Sequence, residues 1–136
     1  NNSVPLFTQA LEVNPQSWVA CNNLGAVALD QRQPLDALPL LAEAVRMRPG
    51  YAMAHANRGI ALLMLGARPD AEREFRTAAR LKPDYPSAYT GLGEALLAQG
   101  RAGDAAAAFR QALALEPGQP QVRAALQLAE RTASTP

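Results

Sequence analysis

Residues 71–84 read AEREFRTAARLKPD, a helical-looking run whose last turn carries Arg80 and Lys82 and which stops at Pro83. Proline lacks an amide hydrogen and pushes its predecessor out of the α region, so it ends helices. The same ending recurs along the chain. LEVNP stops at Pro15, VRMRP at Pro49 and LALEP at Pro117, and each proline lies 34 residues from the next. Four stops at one interval mark a single structural unit, copied, and a period of this length is the signature of a repeat array.

Laid over one another, residues 18–51, 52–85 and 86–119 form three full copies. Residues 1–15 before them read as the second helix of a partial repeat. Residues 120–131 after them read as a polar-faced capping helix, followed by a disordered tail over 132–136. Small residues align in columns: Gly25, Gly59 and Gly93; Ala37, Ala71 and Ala105; Ala10, Ala44, Ala78 and Ala112. A bulky column holds Phe7, Leu41, Phe75 and Phe109. Each copy is expected to be a helix pair, with its first helix starting near Ser17, Ala52 or Ser87. The break falls at DQRQP, LGARPD or QGRAGD, stretches rich in turn formers. A glycine within a helix costs about 1 kcal/mol relative to alanine, so its recurrence calls for a packing reason. Close helix contact supplies one, with the bulky column filling the space between the two helices. Pro5 and Pro39 are placed near the first turn of second helices, where proline is tolerated.

Composition agrees with an all-α chain. Of 136 residues, 49% are hydrophobic but only 5% aromatic, so the core must be built from Ala and Leu, both strong helix formers. No stretch alternates as a half-buried strand would. The net charge is +1, and the basic residues are spread without runs, which leaves no footprint for nucleic acid or an anionic membrane. No apolar run reaches the roughly 18 residues of a membrane span, so direct insertion of this segment is not expected. The single cysteine, Cys21, leaves the redox compartment open between cytoplasm and periplasm. The Arg- and Ala-rich balance points to a GC-rich bacterial genome. The chain opens on NNSV without an initiator Met, as a fragment of something longer would.

These columns resemble the tetratricopeptide repeat, W-x₂-L-G-x₂-Y, then A-x₃-F, then P in 34 residues. The Leu-Gly pair stands at Leu24-Gly25 and Leu92-Gly93, and the A-x₃-F pair at Ala71/Phe75 and Ala105/Phe109. The Trp slot holds Cys21, His55 and Tyr89, and Arg58 replaces Leu in the middle copy. The resemblance implies a right-handed α-α superhelix of antiparallel helix pairs. In the trailing piece Gln127 replaces the glycine, because no second helix follows to demand close approach.

Little here points to catalysis. His55 is the only histidine and sits in a packing slot, and with Cys21 it falls short of a zinc set. The G-x-G of GLG lies mid-helix, so no phosphate loop is present. We therefore expect no enzyme activity, no cofactor and no metal. The family resemblance instead implies a concave face, lined by the first helices, that binds peptide segments. On that basis the binding residues are Val19, Asn22, Asn23 and Ala26 in the first copy; Met53, Asn57 and Ile60 in the second; and Ser87, Thr90 and Glu94 in the third. Ala56, Gly91, Ala124 and Leu128 lie on the same lines.

Asn23 and Asn57 occupy one slot, and a row of carboxamides suits the backbone of an extended peptide because each both donates and accepts. The bland alternative is that they tie neighbouring repeats together. The carboxylate clamp of chaperone-binding relatives is not reproduced, since only Asn57 matches, while Asn22, Ala26, Ser87 and Gly91 stand where Lys, Asn, Lys and Arg are needed. The partner expected is thus a protein or peptide. Two other readings start from the N-terminal run. It resembles the first repeats after the membrane-spanning part of bacterial glycosyltransferase-like proteins, which would make this the tail of a larger, membrane-tethered enzyme. A bare Phe7/Leu11 face would instead support a self-assembling homodimer.

Overall fold

The computed structural model describes residues 17–135, and these form seven helices and no strand. They are α1 (Trp18–Asp30), α2 (Pro34–Met47), α3 (Ala52–Met64), α4 (Arg68–Leu81), α5 (Pro86–Ala98), α6 (Ala102–Leu115) and α7 (Pro120–Ala133). The partial repeat over 1–15, with Pro5, Phe7, Leu11 and the homodimer built on them, lies outside the described residues.

Helix starts follow local chemistry. The Ser17 hydroxyl accepts from the Ala20 amide at 2.9 Å and caps α1. Pro34, Pro86 and Pro120 open α2, α5 and α7, where a missing N–H costs nothing. Within each pair the chain turns through one left-handed residue, at Arg32 (φ 59), Gly66 (φ 82) and Gly100 (φ 80). The following amide reaches back to the helix, Gln33 to Ala28, Ala67 to Leu62 and Arg101 to Leu96, the pattern of a Schellman ending. Glycine takes that conformation freely. Arg32 bears the steric cost that Gly66 and Gly100 avoid.

Consecutive helices touch along the whole array, as antiparallel pairs do. First helices of neighbouring pairs also touch, α1 with α3 and α3 with α5, whereas second helices of neighbouring pairs make no comparable contact. Closer approach on one side curves the stack, and the first helices line its inside. The result is an all-α superhelix.

The glycine column does what its recurrence demands. A Cβ on Gly25 would lie 2.7 Å from Leu41, one on Gly59 2.8 Å from Phe75, and one on Gly93 2.5 Å from Phe109. Among the described residues the column alanines are buried, from Ala37, Ala71 and Ala105 at 0% exposure to Ala112 at 2%. Burial of one such Phe contributes about 1.5–3 kcal/mol.

Two expectations need correction. Helix α2 begins at Pro34, so Pro39 falls in its second turn and not its first. The carbonyl of Leu35 therefore loses its amide partner, at a place where both residues face solvent. Helix α7 runs to Ala133, past the expected end at 131. Its last carbonyls are taken by hydroxyls: Thr132 donates to Leu128 at 2.8 Å, Ser134 to Glu130 at 2.6 Å and Thr135 to Arg131 at 3.0 Å.

The Trp slot was read for packing alone. His55, Tyr89 and Arg123, one repeat apart, each reach back six residues to a proline carbonyl, to Pro49 at 2.8 Å, Pro83 at 3.0 Å and Pro117 at 2.8 Å. These bonds tie each helix to the turn preceding it. A polar side chain six residues after Pro49, Pro83 and Pro117, though not after Pro15, where Cys21 stands, was the signal available in the sequence.

Candidate peptide-binding groove

The residues expected on the inner wall fall in four slots of the first helices, and each slot runs through the repeats at one register. Val19, Met53 and Ser87 occupy the first slot. All three are exposed, Val19 by 46% and Met53 by 43%. Ala26, Ile60 and Glu94 occupy a second slot, where Ala26 and Ile60 are half-buried and Glu94 is exposed. Thr90 is half-buried beside them.

The amides behave differently from one another. Asn23 is exposed and Asn57 half-buried, but Asn22 is 1% exposed. The Asn57 amide donates to the Asn22 carbonyl oxygen at 2.9 Å, bridging α1 and α3. Asn22 therefore sits behind the face and holds Asn57 in place, and the bridge to Asn57 comes from Asn22, not from Asn23. That gives Asn57 a share in joining the repeats, whatever else it does.

Beyond the second repeat the wall opens. Helix α7 packs on α6, and α5 and α7 approach each other less closely than α1 and α3 or α3 and α5. A cavity of about 320 Å³ lies there, bounded by Ser87, Gly91 and Glu94 of α5, Val122 of α7 and Glu116 just past α6, with Phe75 behind. Gly91 is why the ring is so near. A Cβ at this position would come within 2.1 Å of Phe75, so the ring lies between Gly59 of its own pair and Gly91 of the next. The sequence columns marked Gly59 and missed Gly91, although the signal was there. The slot of Gly91 holds Asn57 one repeat earlier, where the smaller Leu41 stands in place of Phe75.

Electrostatics also differ along the wall. Desolvation by the surrounding groove raises the pKa of Glu94. It does so although the residue is accessible, because protein atoms replace much of the water about its carboxyl. Arg58, in the Leu slot, turns its guanidinium toward Glu74 at 3.5 Å, and its buried Nε finds no partner. Among the described residues no cluster of His, Cys, Asp or Glu is arranged to hold a metal ion, and no helix is long and apolar enough to cross a membrane.

Stacked helix pairs with close-approach glycines and a curved inner wall define a helical-repeat solenoid. The chain belongs to the tetratricopeptide repeat family, whose model matches residues 22–86 and 65–120. No curated protein matches it significantly. Among solved structures it is similar to the Arabidopsis OM64 TPR domain, with 27% identity, a TM-score of 0.81, and 84% of this chain and 94% of that one covered. It is also similar to MamA, with 24% identity, a TM-score of 0.84 and coverage of 93% and 74%. A third neighbour is the first TPR of Spaghetti (RPAP3) bound to the HSP90 peptide SRMEEVD, with 21% identity, a TM-score of 0.84 and coverage of 88% and 98%.

Proposed function

We propose that the array is a non-catalytic scaffold that holds a peptide segment along its inner wall. The observation that carries this reading is the line of accessible apolar and amide side chains, Val19, Asn23, Met53, Asn57 and Ile60, on helices whose other faces are consumed by packing. Methionine adapts to varied partners, and an exposed carboxamide can bond an extended backbone whatever its sequence. Neighbours of the same fold include one that holds an HSP90 peptide and one that holds an HSP70 peptide.

An acidic ligand such as SRMEEVD fits this wall poorly. The clamp positions hold Asn22, Ala26, Ser87 and Gly91, none of them basic, and Glu94 adds a negative charge. Panning a phage-displayed random peptide library on the full chain tests the reading. Enriched peptides should lose about tenfold in affinity for Met53→Glu. They should bind Leu35→Glu unchanged, since Leu35 is 70% exposed on the outer helix α2. Failure to enrich any peptide, or equal loss with both variants, overturns the proposal.

A further inference from the structure

The inner wall changes character along its length. Where the first two repeats present Val19 and Met53, the third presents Ser87 and the cap Gln121. Where they present Ala26 and Ile60, the third presents Glu94. The apolar strip thus runs into a cavity that contains carboxylates and no basic side chain among its lining residues.

Pairing elsewhere in the molecule sharpens the contrast. Glu43 pairs with Arg46, Glu72 with Arg76 and Arg101, Glu74 with His55 and Arg58, and Glu130 with Arg110. Among the described residues the two remaining glutamates are Glu94 and Glu116. Neither forms an ion pair, and both line the cavity. Glu94 is also the one whose carboxyl the groove desolvates, so a matching cation there meets less screening than at an open surface.

We infer that the bound segment carries an apolar stretch followed or preceded by a lysine or arginine, and that this side chain enters the cavity between α5, α6 and α7 with Glu94 and Glu116 as its counter-charges. The inference rests on the peptide-binding reading above and specifies the partner's chemistry. A cavity of about 320 Å³ is in the range of small ligand sites and takes one long side chain. Its cationic head then lies at the carboxylates while its methylene stem covers the apolar lining.

The peptides enriched on the full chain provide the test. Lysine or arginine should be enriched at one position next to apolar residues, and binding should weaken as salt is raised. Replacing that residue by glutamine in a synthetic copy should reduce affinity about tenfold, as should Glu94→Gln with Glu116→Gln in the protein. Glu94→Lys should move the selection toward peptides carrying aspartate or glutamate. Both glutamates are exposed, so unchanged melting of the variants separates lost charge from lost fold. Enriched peptides without a basic preference, or with affinity indifferent to the glutamine pair, overturn the inference and leave the scaffold reading standing. Absence of any enriched peptide overturns both.

Discussion

Phe75 and the residues about it show how finely this array depends on single atoms. Gly91→Ala would drive a methyl into the ring at 2.1–2.5 Å, and overpacking of this kind costs about 1–3 kcal/mol. Urea denaturation should find that loss for Gly91→Ala. Most of it should be recovered when Phe75→Leu is added, because Leu41 already serves at the equivalent place one repeat earlier. Strictly additive effects of the two changes would show that the methyl and the ring do not meet. Arg32 offers the reverse experiment. It is held at φ 59 where its counterparts are glycines, so Arg32→Gly should stabilise the chain by about 1 kcal/mol. A lower thermal midpoint would refute this.

His55 is a third residue with a measurable signature. Its Nδ1 lies 2.9 Å from the Glu74 carboxylate and its Nε2 2.8 Å from the Pro49 carbonyl. Two acceptors require two ring N–H groups, so both bonds form only in the imidazolium. The bond to Glu74 raises the pKa above the ordinary 6.5, against the opposing effects of burial and Arg58. A raised folded value means that the stabilisation is complete below the unfolded pKa and disappears as pH climbs through the folded one. Stability should therefore decline from about pH 6.5 upward, and His55→Gln should abolish that decline. A wild-type profile that stays flat across this range contradicts the assignment.

At the scale of elements, the bond between Asn57 and Asn22 joins α1 to α3 across a repeat boundary. Asn57→Ala leaves the side-chain carbonyl oxygen of buried Asn22 without its donor, at a cost of about 1–3 kcal/mol. Asn23→Ala removes an exposed side chain and should change stability by no more than about 0.5 kcal/mol. Calorimetry on the two variants separates a joining amide from one free for a ligand, and equal effects would mean that the bridge carries no weight. For binding studies Asn23→Ala is the cleaner probe, because loss of affinity at Asn57 would mix recognition with stacking. A second tie acts on the outer side, where Glu72 of α4 accepts from Gln99 and Arg101 of the following pair, each at 3.0 Å.

At the scale of the whole array, loss of one helix pair should be felt first by the pairs beside it, because each pair touches only its neighbours. Helix α7 buries Val122 and Ala129 in the cluster that holds Phe109 and Ala112. A chain ending at Gly118 uncovers that cluster. Hydrogen exchange should then speed up in α5 and α6 well before α1 and α2 respond. Uniform loss of protection along the chain would show instead that the array unfolds as a single unit.

The sequence alone determined the repeat, its helix pairs and the close approach at Gly25, Gly59 and Gly93, though not at Gly91, because these rest on local rules: proline stops, turn residues, and small side chains recurring at one interval. Through the family resemblance it also led to Val19, Met53, Asn57 and Glu94 being expected on one wall. It left Asn22 and Asn23 undifferentiated, set Pro39 one turn too early, and took His55 for packing alone. Only the tertiary structure decided which amide faces inward, which glutamates lack a cation, and where the wall opens between α5 and α7. Those outcomes depend on distances between residues of different repeats, and a periodic pattern assigns a slot the same neighbours in every copy even where the side chains around it differ.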